Sequence, residues 1–126
     1  MAKFRPDNAA SQAADLLVLY IPSHDRDGNQ IDQNDWVDKA LDFLGTTFHG
    51  ATAFPKARGV WRDDERGGNL IFDEPVIIQC YTSLKLLNSE WQKLSEFLTD
   101  MGRQTRQGAV GFVVNSEFFE IPFPVN

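Results

Sequence analysis

The chain has 126 residues, 42% of them apolar and 24% charged, and carries a net charge of −6. That size and balance suit one globular domain with its own core. The acidity argues against a general nucleic-acid binder, which would show a basic stripe. No apolar run approaches the roughly 20 residues that cross a bilayer, and no apolar signal core precedes Asp15. Cys80 is alone and lies inside an apolar run, where a thiol is expected to be buried and inert. The expected compartment is the cytoplasm.

Residues 1–14 are polar and Ala-rich and are expected to form a flexible N-terminal segment ahead of a single domain over 15–126. Leu16–Ile21 is an unbroken apolar run of strand length. Pro22 ends it, having no N–H for a ladder. The turn cluster Ser23–Gln30 superficially suggests a calcium loop. It lacks the closing bidentate Glu and has Gln30 where an apolar residue belongs, so no metal is expected there. Asp32 suits a helix N-cap, Asp35 the first turn, and Ile31 and Trp36 the staple spacing. Trp36, Val37, Ala40, Leu41, Leu44 and Phe48 then share one helical face, with Gly45 or Gly50 as the stop.

Ala53–Arg62 reads as a strand and Asp63–Asn69 as a polar hairpin loop with a Gly67-Gly68 turn. Leu70–Phe72 resumes the strand, and Glu74-Pro75 interrupts it before a second, nearly unbroken apolar run, Val76–Tyr81, with Gln79 its one amide. Asn88 or Ser89 is expected to cap a second helix whose buried stripe is Trp91, Leu94, Phe97, Leu98 and Met101, stopped by Gly102. Arg103–Gly108 is a polar connector. Ala109–Val114 is the last core strand, with Phe118–Ile121 as its extension.

Strand, helix, strand, strand, helix, strand predicts an α+β, ferredoxin-like βαββαβ fold: a four-stranded antiparallel sheet with two helices on one face. The two apolar runs fall on its first and third strands, the central pair. About half of their side chains must then point away from the helices, which is unusual for a wet sheet face. A homodimer packed through that face is expected, with cover by the tail Phe118–Val125 as the alternative.

The residues with chemical promise are basic and aromatic. Arg58 and Arg62 share one face of a strand by its period of two, and Trp61 takes the other. Arg103 and Arg106 follow the second helix. Arg forks carboxylate and phosphate, so these four arginines suit a small anionic ligand; the alternative is that Glu74 or Glu117 neutralises them. His24 and His49 have no zinc spacing, Gly67-Gly68 lacks the context of a phosphate loop, and no nucleophile elbow occurs. No motif implies a cofactor, and no catalytic residue is assigned. A small cytoplasmic binding or accessory protein that self-associates is the expected function. The rivals are a small enzyme with its pocket on the open sheet face, drawing on Arg62, Glu74 and His49, and a regulatory partner of a larger bacterial system.

One resemblance runs through residues 16–121. Asp27-Gly28, Ile31-Asp32 and Asp35-Trp36 come first, then Phe54-Pro55, Gly59 with Trp61-Arg62-Asp63, Glu74-Pro75, and the Arg-rich stretch Gly102–Gln107. In this order they resemble a small bacterial ferredoxin-like family catalogued only as a domain of unknown function. The resemblance implies that Trp61, Arg62, Glu74 and Arg106 matter together and carries no reaction with it. The first strand departs from the family pattern, with only Leu19-Tyr20 where an Arg-Leu-Tyr-like opening belongs.

Overall fold

The computed structural model describes residues 4–124. In chain order these form β1 (Asp15–Ile21), α1 (Gln33–Phe48), β2 (Thr52–Ala53), β3 (Gly59–Asp63), β4 (Asn69–Asp73), β5 (Val76–Thr82), α2 (Leu84–Ser89), α3 (Trp91–Gln104), β6 (Ala109–Val114) and β7 (Glu117–Pro122). Five strands make one antiparallel sheet in the order β2-β5-β1-β6-β7. β3 and β4 pair only with each other. None of the helices is long and apolar enough to cross a membrane, among the described residues.

The two apolar runs are the central strands, as their composition predicts. Leu17 lies opposite Cys80, Leu19 opposite Ile78 and Ile21 opposite Val76. These side chains meet Trp36, Ala40, Leu44 and Phe48 of α1 and Leu94, Leu98 and Met101 of α3 in one buried core. Alternation sends Leu16, Val18, Tyr20, Ile77 and Gln79 to the opposite face of the sheet, where the core helices do not lie.

The architecture departs from the four-stranded expectation in three places. The Arg58–Arg62 strand is not part of the main sheet. Two-residue β2 takes the edge beside β5, through Thr52–Gln79 and Ala53–Ile78. The cause is proline: Pro55 has no N–H to donate, and Glu74-Pro75 separates β4 from β5. The ladder stops there, and residues 59–73 split off as a hairpin turning through a short 3-10 segment, Asp64–Arg66, with Gly67 and Gly68 both at positive φ. Second, the sheet has a fifth strand. Asn115, at φ +57°, reverses the chain, and β7 pairs with β6 from Val114–Glu117 to Ala109–Pro122. The tail therefore extends the sheet, and the Phe118 ring lies against Gly111 on the face away from the core helices. Val125, included in the expected cover, lies outside the described residues. Third, α2 is an added helix, capped by Ser83, whose Oγ accepts from Leu86 N at 3.1 Å.

The helix ends also depart from expectation in instructive ways. Asp32 caps α1 by accepting from Asp35 N at 3.2 Å, as its placement suggests. The helix then runs through Gly45, and His49 takes the left-handed cap at φ +77°. α3 likewise runs through Gly102 rather than stopping at it. Gly102 is needed for a different reason: a Cβ there would lie 2.2 Å from the Phe123 ring. Trp91 opens α3 half exposed and packs against Phe112 with ring centroids 5.7 Å apart and the rings tilted by 34°.

Candidate functional site

Two segments far apart in sequence build the site. The first is the turn after β1. Asp25 Oδ1 accepts from Asp27 N at 2.8 Å and from Asn29 N at 2.9 Å, and Gly28 supplies a positive φ. The Asn29 N–H, with smaller help from Asp27 and Arg106, holds the Asp25 carboxyl below its ordinary value, against a smaller opposing effect of burial. The second segment is the end of α3. Gln107 N donates to Gly102 O and Arg106 N to Arg103 O, the two bonds of a Schellman ending. The residue such an ending places in the left-handed region is usually Gly. Here it is Arg106, at φ +53°.

Three bonds tie the segments together. Arg26 N donates to Arg106 O at 3.0 Å, Arg106 Nη2 to Asp27 Oδ2 at 3.0 Å, and Gln107 Nε2 to His24 O at 2.8 Å. Beside this junction opens a cleft of about 460 Å³. Arg26, Arg103 and Arg106 line it, together with Pro122, Phe123 and Pro124. No carboxylate lines it among the described residues. Asp27 is the only carboxylate bonded to any of the three arginines, among the described residues, and that pair is largely exposed. An anion entering the cleft therefore meets two guanidinium groups with no ion-pair partner among the described residues.

On the other side of Gln107 lies a smaller slot of about 90 Å³, formed by Tyr20, Pro22, Trp61, Asp73, Pro75 and the first residues of β6. Its one carboxylate is held firmly. Asp73 Oδ1 accepts from Glu74 N at 2.8 Å, from Ser23 N at 3.2 Å and from the Ser23 hydroxyl. Buried Ser23 in turn accepts from Glu74 N at 3.0 Å and lies 2.7 Å from His24 Nδ1. Its single proton goes to Asp73, so His24 must carry its proton on Nδ1 and donate. This is a structural clamp between the ends of β1 and β4. A nucleophilic serine would instead give its proton to the histidine.

The six residues singled out from sequence are distributed unevenly. Arg103 and Arg106 line the cleft and Trp61 lines the slot. Arg62 pairs within its own hairpin with Asp64, at 2.5 Å. Arg58 is exposed just before β3 and lines neither cavity. Glu74 contributes its backbone, donating to Ser23 and Asp73 and accepting from Gln33 Nε2 at 3.0 Å, while the residue is exposed. The carboxylates that meet arginines here are Asp27 and Asp64, rather than Glu74 or Glu117. Sequence reasoning missed Arg26, Tyr20 and Asp73. Arg26 sits in the same Asp-Gly turn that belongs to the family resemblance, which was the available signal.

No protein-family model and no curated protein matches the chain. Solved structures do, by shape. A phage SAM lyase in complex with S-methyl-5'-thioadenosine superposes with a TM-score of 0.67 at 14% identity, over 94% of this chain and 97% of that one. A phage SAM lyase in the apo state gives 0.60 at 13% identity, over 94% and 99%. The divalent cation tolerance protein CutA1 from Thermus thermophilus gives 0.51 at 13% identity, over 90% and 87%. At such identities the likeness is one of fold, and the chain shares the mixed helix-and-sheet architecture of these proteins.

Proposed function

We propose that the chain is a small cytoplasmic binding protein that takes an organic anion in the arginine-rimmed cleft and self-associates through the open face of its sheet. The observation that carries the ligand reading is the grouping of Arg26, Arg103 and Arg106 around one cavity that no carboxylate lines among the described residues. In an acidic chain such a grouping is a local reversal of charge, and guanidinium forks fit planar or tetrahedral oxyanions. Inorganic phosphate should raise the melting temperature by mass action, about 2.7 kcal/mol at a hundredfold excess over the dissociation constant. Arg103→Gln should remove that gain and Arg62→Ala should keep it. A phosphate effect lost with Arg62 and kept without Arg103 would refute the assignment.

Self-association is supported by the apolar surface of the hairpin, which stands beside a sheet face whose Leu16, Tyr20 and Ile77 are half-buried and whose Val18 is buried. The hairpin is apolar on both its faces, with Leu70 60% and Phe72 70% exposed on one, and Trp61 and Ile71 half exposed on the other. A lone two-stranded hairpin is marginal in water, and exposed apolar area of this extent marks a contact surface. Light scattering coupled to size exclusion should give a mass above the 14.3 kDa of one chain.

A second reading is an enzyme acting in the Tyr20–Trp61–Asp73 slot. Two observations favour it: a firmly held carboxylate and two aromatic residues lining one slot, a combination that suits a cationic centre, and the fold shared with a phage SAM lyase along nearly the whole of both chains. Incubation with SAM, followed by chromatography, tests it. Loss of SAM that depends on Asp73 supports this reading, and an unchanged SAM pool rejects it.

A further inference from the structure

We infer that the ligand of the arginine-rimmed cleft is a phosphate monoester with a flat apolar body. This rests on the anion-binding reading above and narrows it. Charge comes first. Three guanidinium groups border the cleft, and Asp27 offsets one of them. The surplus of two positive charges matches a phosphate monoester, which carries about −1.5 to −2 near neutral pH. A carboxylate, with a single charge, leaves the rim half neutralised.

Shape comes second. The cleft, about 460 Å³, lies within the range of small-ligand pockets, roughly 300–1,000 Å³, and has room beyond a phosphate group. Phe123, Pro122 and Pro124 form an apolar stretch of the cleft wall. Phe123 is fixed there twice: its N–H donates to Gly108 O at 2.8 Å, and its ring fills the space that Gly102 leaves by having no Cβ. A flat apolar body can lie on that wall while the phosphate reaches the arginines.

Backbone conformation comes third. Arg106 occupies the left-handed position of a helix ending, at φ +53°, where Gly is unstrained. Arg106 brings a third guanidinium to the rim, and strain of this kind concentrates at ligand clamps.

Titration calorimetry of the full chain at low salt and about pH 7.5, where the monoester is a dianion, tests the inference with three probes: phenyl phosphate, inorganic phosphate and benzoate. Phenyl phosphate should bind at least about tenfold tighter than either of the others, a margin of about 1.4 kcal/mol. Phe123→Leu should remove its advantage over inorganic phosphate, with circular dichroism and thermal melting of the unliganded variant reporting that it is folded. Arg103→Gln should weaken both phosphates. Equal affinity for phenyl phosphate and inorganic phosphate, or benzoate binding as tightly as phenyl phosphate, overturns the inference and leaves anion binding standing. No binding of any of the three overturns both.

Discussion

Arg106 reaches across 79 residues of sequence to donate to the Asp27 carboxylate at 3.0 Å. The bond joins the turn after β1 to the end of α3, and it holds a guanidinium whose backbone sits in an uncommon conformation. Both partners are largely exposed, so the ion pair itself adds little to stability, in the range of about 0–1 kcal/mol.

That balance predicts a separation of stability from binding at Arg106. Arg106→Gly relieves a left-handed residue, worth about 1–2 kcal/mol, and loses the weak pair and some chain entropy. Thermal or urea unfolding should therefore change by no more than about 1 kcal/mol in either direction. Phosphate binding should fall clearly. A variant that unfolds easily and binds normally would show that Arg106 is structural.

Asp27→Asn makes the complementary test. It frees the third guanidinium without touching the cleft wall. Calorimetry should show tighter phosphate binding at unchanged fold stability. Weaker binding in this variant means that Asp27 positions Arg106 for the anion.

The turn around Asp25 sets an acid limit. Its carboxyl titrates below the ordinary value of 3.8, chiefly because the Asn29 N–H bonds the charged form. A carboxyl whose folded pKa lies below its unfolded one contributes stability above the unfolded value and loses it as pH falls through the folded value. The Asn29 amide resonance should therefore titrate with a midpoint below the ordinary carboxyl value. Movement centred at or above the ordinary carboxyl value contradicts the hydrogen-bond assignment.

The two helix-opening tryptophans should differ. Trp36 is 7% exposed and packs edge-on against Phe97 at 6.1 Å between centroids. Trp36→Ala should cost about 3–5 kcal/mol. Trp91 is 43% exposed and touches the core through Phe112, so Trp91→Ala should cost distinctly less. Denaturant melts of the two variants settle the order, and equal losses contradict it.

Local patterns carried most of the fold. The two apolar runs announced the central strands because a strand covered to some extent on both faces shows no polar alternation. Asp32 announced its helix because an N-cap is a contact within four residues. Glu74-Pro75 marked the break between β4 and β5 for a reason as local as a missing N–H. What local pattern does not carry is which strand pairs with which. β2 is two residues long, too short to leave a period, and β3 resembled a sheet strand because a hairpin apolar on both faces has the same composition. The candidate site was half legible for the same reason. Arg103 and Arg106 are neighbours in sequence, whereas Arg26 joins them only through the folded turn. Gly102 read as a helix stop because its reason, the Phe123 ring, lies 21 residues downstream.

The most direct test of anion binding in the cleft is a proton–nitrogen correlation spectrum of the labelled chain, titrated with inorganic phosphate at low salt. The account predicts shifts that saturate and that concentrate on the amides of Arg26, Gly102, Arg103, Arg106, Gln107 and Gly108. Shifts centred on Arg58 and on the hairpin's Arg62, or no saturable shifts at all, would contradict it.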